Sequence, residues 1–236
     1  MRPRSAAMGY ARAMQAARSL GLVALILAAG FGPAVATVDP ELLARGWQAQ
    51  PINGRAPLVF AREDMDGIRI SGTGAGIVFR PVRVPVSPVL CLSWRWRIEP
   101  GPDAHTVGLV LQVGFEADGE RMSLGQRYAL GFARMMAGGR MVPGFALSYR
   151  WGGGAGEPAW HSTPLLLLLE QSRWRQPEVA PRGAWVEETV ALAAEFRAAY
   201  GIAPTGFVTE LAIGAQAAAA IEARIAGITF GRCAAP

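Results

Sequence analysis

The stretch Leu90–Glu99 constrains the fold more than any other, because its apolar and polar residues alternate without interruption. In a β-strand, successive side chains point to opposite faces, so this pattern predicts a strand with one buried face and one polar face. The polar face carries Arg95 and Arg97. The apolar face consists of Leu90, Leu92, Trp94, Trp96 and Ile98.

Similar alternation recurs along the chain and predicts further strands. Val107–Phe115 and Phe145–Trp151 each place one row of large apolar residues on one face. We expect Leu90–Glu99 and Val107–Phe115 to form a hairpin in which paired residue numbers sum to about 205, because this register keeps both apolar faces together. Gln126–Ala133 is also predicted as a strand, with Tyr128, Leu130 and Phe132 facing inward. Pro164–Leu169 is predicted as a strand buried on both faces, and Gln171–Gly183 as an exposed loop. Phe207–Ile213 and Ile221–Phe230 are predicted as two separate closing strands.

A single segment has the periodicity of a helix. In Val190–Tyr200, large apolar residues recur every four positions, and Gly201 follows as a typical helix end. Many short strands with turns between them indicate an all-β fold. We therefore predict a single-domain β-sandwich, of the jelly-roll or galactose-binding-like type, with one short helix near the C-terminal end.

The N-terminal segment has the features of a secretory signal peptide. Arginines come first, the apolar run Leu20–Ala29 follows, and Ala34-Val35-Ala36 has the small-x-small pattern of a cleavage site. We predict a signal peptide over residues 1–36, cleavage after Ala36, and a β-sandwich domain over residues 37–236 in the periplasm. An uncleaved anchor is the alternative, and no later stretch is long and apolar enough to span a bilayer.

The net charge argues against nucleic acid as a partner. The formal charge is +5, and the segment before residue 37 holds four arginines and no acid, so the remaining chain carries only +1. Phosphate binding requires a strong basic excess, which residues 37–236 lack. We therefore expect no nucleic-acid partner. No motif in the sequence indicates a particular protein partner.

The chain contains two cysteines, Cys91 and Cys233. An oxidising compartment permits a disulfide between them. Because disulfide formation requires Cα atoms within about 7 Å, the sequence leaves two separate buried thiols as the alternative.

Several of these stretches together resemble a family of secreted bacterial proteins of unknown function. The resemblance rests on Leu92-x-Trp94-x-Trp96 and Leu147-x-Tyr149-x-Trp151, on Trp185 with Glu187, on the helix ending at Phe196–Gly201, and on Ile228-Thr229-Phe230. It covers roughly residues 55–231. It implies a β-sandwich similar to carbohydrate-binding modules, with no established reaction.

The chain departs from that family where acidic and Asn residues usually stand. The corresponding stretches are residues 102–106, which keep only Asp103, and residues 213–220, which hold no acid. A metal or carboxylate role tied to those positions is therefore not implied here.

Five arginines alternate with apolar residues on predicted strands, and they form the first candidate binding surface. Arginine forks bind carboxylate and phosphate groups bidentately, which suits an anionic glycan, a lipid headgroup or phosphate. The alternative is an ordinary solvated face whose charges are paired with carboxylates. These candidate residues are Arg69, Arg95, Arg97, Arg127 and Arg150.

Two tryptophans in predicted polar loops, Trp160 and Trp174, form the second candidate. Aromatic rings dominate binding hot spots and provide flat surfaces on which sugars stack. The alternative is that both rings fold back over the ends of the sandwich.

Catalytic and metal-binding patterns are weak. His161 and Ser162 are adjacent in sequence, which does not make a triad. The carboxylates considered for glycoside hydrolysis lack a diagnostic spacing. Residues 63–67 offer oxygen ligands for calcium but read as a turn, and Met135, Met136 and Met141 read as packing residues. We assign no catalytic residue, metal ligand or cofactor. The carboxylates are Asp103, Glu116, Glu170 and Glu187.

These observations together predict an exported, non-catalytic binding protein for a carbohydrate or an anionic component of the cell envelope. A structural or interaction protein of the envelope is the first alternative, and a carboxylate-dependent glycoside hydrolase is the second.

Overall fold

The computed structural model describes residues 33–53, 55–101, 108–137, 141–153, 159–162, 169–177 and 181–233. Three helices lie within these ranges: α1 (Pro40–Ala44), α2 (Leu124–Met136) and α3 (Leu192–Tyr200). The strands are β1 (Pro33–Val35), β2 (Thr37–Val38), β3 (Gln48–Asn53), β4 (Val59–Glu63), β5 (Gly67–Pro85), β6 (Leu90–Ile98), β7 (Gly108–Phe115), β8 (Phe145–Gly153), β9 (His161–Ser162), β10 (Glu170–Pro177), β11 (Val186–Ala191) and β12 (Phe207–Arg232).

Two long strands, β5 and β12, pair with each other and run through both layers of an open β-sandwich. The first sheet contains β3, the second half of β5, the first half of β12, and then β7, β8, β10 and β9. The second sheet contains β2, β4, the first half of β5, the second half of β12, and then β6 and β11. The all-β sandwich of jelly-roll type predicted from the sequence is confirmed.

The passage of β5 and β12 from one sheet to the other depends on glycine. Gly74 pairs with Ala217 and Gly72 pairs with Ile221, so residues 218–220 of β12 bulge opposite Thr73. Gly72 and Gly74 have φ angles of 113° and 121°, which residues with a side chain rarely adopt. A Cβ on Gly74 would lie 2.0 Å from the carbonyl oxygen of Ala56. The predicted pair of closing strands is therefore one continuous, bent strand.

Aromatic side chains from the two sheets meet in the core. Trp94 and Trp96 of β6 lie 5.2 Å and 5.5 Å, between ring centroids, from Tyr149 and Trp151 of β8. All four residues are buried, as are the apolar residues of β7 between Leu109 and Phe115 that share one face. The predicted inward rows of these three strands are confirmed.

The predicted hairpin of β6 and β7 is wrong. β6 pairs with β12 and β11, whereas β7 pairs with β12 and β8. The two strands lie in different sheets, and their apolar faces meet across the core instead of side by side. Alternation therefore identified which residues are buried, but it did not identify the neighbouring strands.

The predicted strand over 126–133 is also wrong, because these residues belong to helix α2. Ser123 Oγ accepts from the Gln126 backbone N–H at 3.2 Å, and Gln126 Oε1 accepts from the Ser123 N–H at 2.8 Å. This reciprocal capping box starts the helix. Of the residues expected inside, Leu130 is buried, whereas Tyr128 and Phe132 are exposed.

The other helix predictions and loop predictions have mixed outcomes. The predicted helix near the C-terminal end is confirmed as α3, which ends at Gly201 with φ 74°. The predicted loop over 171–183 is instead largely strand β10. The predicted strand over 164–169 lies outside the described residues, apart from Leu169, which is buried.

Candidate functional site

A cluster of polar side chains lies on the outer face of the first sheet, on the neighbouring parallel strands β8 and β10. Ser148 is paired with Ser172, and Arg150 with Trp174. These side chains point outward because the residues between them on β8 face the core. Ser148, Arg150, Glu170 and Ser172 are nevertheless all buried. We refer to these four residues as the polar cluster.

Glu170 is the centre of the hydrogen bonding in the polar cluster. Its Oε1 accepts from Ser148 Oγ at 2.6 Å and from Ser172 Oγ at 3.3 Å. Arg150 Nε donates to Ser172 Oγ at 3.1 Å, and Arg150 Nη2 lies 3.6 Å from Glu170 Oε1. Gln112 of β7 extends the network by donating to Ser148 Oγ at 3.1 Å.

Among the described residues, two charged atoms of the polar cluster have no hydrogen-bond partner. Glu170 Oε2 and Arg150 Nη2 are both buried, and Nη2 contacts Glu170 Oε1 only at ion-pair distance. Burial lowers the pKa of the Arg150 guanidinium, and the Glu170 carboxylate opposes that shift. A buried charged atom without a partner is costly and in a native protein calls for a specific explanation, such as a bound water or ligand group.

Two aromatic rings lie next to this cluster at the edge of the first sheet. The guanidinium carbon of Arg150 is 5.7 Å from the centroid of the Trp174 ring. The ring of His161, on edge strand β9, lies 6.4 Å from Trp174 with an interplanar angle of 31°. Trp174 is half-buried and His161 is exposed, so a ligand has access to both rings. We refer to them as the aromatic platform.

The outer face of the second sheet carries a different arrangement. Arg69, Arg224 and Arg97 are cross-strand neighbours in one row, on β5, β12 and β6. Arg95 follows on the same face of β6, and the ring centroid of Trp185 lies 4.8 Å from the Arg95 guanidinium and 5.1 Å from that of Arg97. We refer to these arginines as the arginine row.

Carboxylates pair with the middle of the arginine row. Arg224 contacts Glu63 at 2.7 Å and Glu222 at 2.6 Å, and it also pairs with Glu99. Arg97 contacts the same Glu99 oxygen at 2.7 Å. The open part of the row therefore consists of the exposed Arg69 and Arg95, with Trp185.

The structure separates the five predicted arginines. Arg69, Arg95 and Arg97 share the second sheet, as expected, together with Arg224, which the sequence analysis missed. Arg150 is buried on the first sheet and is not part of a solvated face. Arg127 lies on helix α2 and not on a strand, because residues 126–133 are helical.

The two predicted tryptophans also differ from each other. Trp174 lies in strand β10 and not in a loop. Trp160 packs against the core, with its ring centroid 5.8 Å from that of Tyr149 and 5.5 Å from the Arg173 guanidinium. The alternative that the ring folds back over the sandwich therefore holds for Trp160. Trp174 instead lies beside the polar cluster.

The carboxylates considered for hydrolysis are not brought together in the described part of the chain. Glu170 belongs to the polar cluster, Glu116 follows the end of β7, and Glu187 is exposed on β11 of the other sheet. Asp103, like His105, lies outside the described residues. Among the described residues, no group of three or more His, Cys, Asp or Glu side chains is placed to hold a metal ion.

Cys91 and Cys233 form a disulfide, with Cα atoms 5.0 Å apart. The bond joins the start of β6 to the residue that follows β12, beside the paired residues Gly231 and Cys91. Of the two alternatives that the sequence left open, the structure therefore has the disulfide. No helix within the described ranges has the length and apolar character needed to cross a membrane.

Sequence comparison places this arrangement in a family. Residues 46–226 match the model of DUF3047, described as a protein of unknown function. The chain belongs to the DUF3047 family. The matched range covers nearly all of both sheets, including the polar cluster, the aromatic platform and the arginine row. No sequence among curated proteins matches this DUF3047 chain.

Solved structures similar to this DUF3047 chain include several glycanases. One is the xyloglucanase domain of NopAA, a type three effector from Sinorhizobium fredii, in complex with cellobiose (TM-score 0.47, 8% identity, 80% of this chain and 94% of that chain covered). Another is the endo-1,4-beta-glucanase CelB2 (TM-score 0.43, 11% identity, 86% and 97% covered). A third is the family 11 xylanase from Neocallimastix patriciarum (TM-score 0.41, 9% identity, 79% and 95% covered).

Proposed function

We propose that this protein is an exported glycan-binding protein, and that a sugar chain stacks on the aromatic platform formed by Trp174 and His161. The observation that carries the proposal is that the accessible Trp174 ring lies beside the buried Arg150 guanidinium, whose Nη2 has no hydrogen-bond partner in the part of the chain that the structure describes. Aromatic rings held rigidly at a surface supply contact area at low entropic cost.

The polar cluster beside this platform would add hydrogen bonds to a stacked sugar. Within the described residues, Glu170 Oε2 accepts no hydrogen bond and Arg150 Nη2 donates none, and the Arg150 guanidinium lies beside the Trp174 ring of the platform. A sugar hydroxyl, directly or through one water, donates to the first and accepts from the second. Because the buried pair is one cation and one anion, it favours a neutral saccharide over a charged one.

The test measures binding of neutral oligosaccharides, beginning with cellohexaose and xylohexaose, by isothermal titration calorimetry. We expect Trp174→Ala to weaken binding by about thirtyfold, the scale of one hot-spot aromatic residue. The matched control is Trp185→Ala, which removes an accessible tryptophan from the outer face of the other sheet. Equal losses in the two variants, or no binding of any neutral saccharide by the native protein, would refute this site.

A second candidate ligand is an acidic glycan or another anionic envelope component on the arginine row. Arg95 and Arg69 are exposed, and the described residues hold no carboxylate within ion-pair distance of either one. Arg95→Gln and Trp185→Ala are expected to abolish binding of an oligogalacturonate while Trp174→Ala preserves it. The opposite pattern would leave the arginine row as a structural ion network.

The periplasm remains our proposal for the compartment, with cleavage after Ala36. A stable disulfide between Cys91 and Cys233 supports an oxidising location. Cleavage there removes β1 and the buried Ala36, and it makes Thr37, the first residue of β2 in the second sheet, the new N-terminus. Mass spectrometry of the exported protein gives the mature N-terminus, and a start at any residue other than Thr37 would reject this site.

A further inference from the structure

Helix α2 presents its apolar residues to solvent. Leu124, Tyr128, Phe132 and Met135 are exposed to 71%, 80%, 50% and 69%. Spacings of four, four and three residues place them on one side of a helix with 3.6 residues per turn. We refer to these four residues as the outer stripe.

The opposite side of α2 packs against the sandwich. Leu130 is buried, and Ala129 and Ala133 are half-buried. The helix therefore has two apolar sides, and only one of them is used by the fold. Contiguous exposed apolar patches on soluble domains usually mark a binding surface for a protein or a membrane.

The charges of α2 all have one sign. The helix contains Arg127 and Arg134 and no acidic residue, and both arginines are exposed. Arg127 Nε donates to the Met122 carbonyl at 3.1 Å, which holds this side chain beside the helix start. An apolar stripe flanked by arginines is typical of helices that lie in the interface of a bilayer with anionic lipids.

The size of the outer stripe argues against a second copy of the chain as its occupant. A large apolar side chain has about 150–250 Å² of accessible surface, so four such side chains exposed to 50–80% offer on the order of 500 Å². A stable interface needs about 800 Å² from each partner. Insertion into a fluid bilayer has no such requirement, because the lipids adapt to the helix.

We infer that α2 is an interfacial membrane-binding helix, whose outer stripe inserts among lipid acyl chains while Arg127 and Arg134 contact anionic headgroups. The inserted helix lies parallel to the bilayer plane. The inference does not depend on glycan binding, because α2 and the aromatic platform share no residue.

The test is co-sedimentation of the exported protein, after N-terminal processing, with vesicles of phosphatidylglycerol and phosphatidylcholine in a 1:1 ratio and with phosphatidylcholine alone. We expect binding to the anionic vesicles and at least tenfold weaker binding to the neutral ones. Tyr128→Ser with Phe132→Ser should lower affinity for the anionic vesicles at least tenfold. Both side chains are exposed, so the fold should persist, which circular dichroism verifies.

The matched control is Met65→Ser, which removes an apolar side chain that is 82% exposed on the turn between β4 and β5. Arg134→Gln should weaken binding to the anionic vesicles and leave binding to the neutral ones unchanged. The inference is overturned if the native protein does not sediment with anionic vesicles, or if Met65→Ser has the same effect as the double serine variant. Analytical ultracentrifugation that shows a dimer lost in the double variant would assign the stripe to a second copy and also overturn it.

Discussion

The disulfide between Cys91 and Cys233 stabilises the fold by an amount that the structure allows us to estimate. Cys91 and Cys233 are separated by 142 residues, so the bond closes a loop that includes most of both sheets. In the chain-entropy account, cross-linking such a loop destabilises the unfolded state by about 5 kcal/mol. Measured losses on removing native disulfides are typically 2–5 kcal/mol, so we expect the double variant Cys91→Ala, Cys233→Ala to lose about that much.

The assay is equilibrium unfolding in urea, followed by the fluorescence of the buried tryptophans. The denaturant midpoint should fall in the double variant, and the m-value should rise because the unfolded chain is less compact without the cross-link. Dithiothreitol should shift the native protein to the behaviour of the double variant and leave the variant itself unchanged. If the double variant unfolds within about 0.5 kcal/mol of the oxidised native protein, the loop-closure reasoning is refuted.

Three further predictions concern the aromatic core, the bend at which β5 and β12 pass from one sheet to the other, and one surface carboxylate. Trp96→Ala should lower the free energy of unfolding by about 3–5 kcal/mol in urea, because it empties a fully buried aromatic site; a loss under about 1 kcal/mol would contradict the described packing. Gly74→Ala should lower the thermal midpoint of unfolding more than Gly108→Ala, because only the alanine at position 74 places its Cβ against the backbone of Ala56. Equal effects of the two variants would contradict the described bend of β5. The Thr205 hydroxyl, with backbone N–H groups, lowers the pKa of Asp118, so the stabilisation is present above the ordinary pKa of 3.8 and lost as pH falls through the folded value. The thermal-midpoint difference between the native protein and Asp118→Asn should therefore shrink in acid, and a difference independent of pH would reject this pairing.

The residues of the core were predictable from the sequence, whereas the neighbours of each strand were not. The alternation around Trp94 and Trp96 determines which face of the strand is buried. If the opposite face were buried instead, its polar residues would lack hydrogen-bond partners in the core. Pairing depends on contacts far apart in the chain, and β12 separates β6 from β7. Tyr128 and Phe132 are four residues apart, a spacing that fits both the period of a strand and the period of a helix. Because the exposed side of this helix is apolar, the pattern was mistaken for a strand over 126–133.

The candidate site was predictable only in part, for a related reason. The outward direction of Ser148 and Arg150 follows from their alternation with the core residues of β8. Ser172 and Trp174 join them only through the parallel pairing of β8 with β10, and 171–183 has no clear alternation that would indicate a strand. The sequence could not decide whether Cys91 and Cys233 are bonded, because this depends on the distance between their Cα atoms. The pairing of β6 with β12 determines that distance.

The shared strand β12 also affects the order in which the protein folds during synthesis. β5, β6 and β7 each take β12 as a neighbour, and β12 begins 92 residues after β7 ends. Until that strand leaves the ribosome, neither sheet is complete, and the aromatic core residues of β6 and β8 lack their final packing. Long-range pairing of this kind folds slowly, so the chain remains open for longer than a protein built from local contacts. A chain whose apolar residues stay exposed until β12 has been synthesised depends on protection from aggregation during that interval.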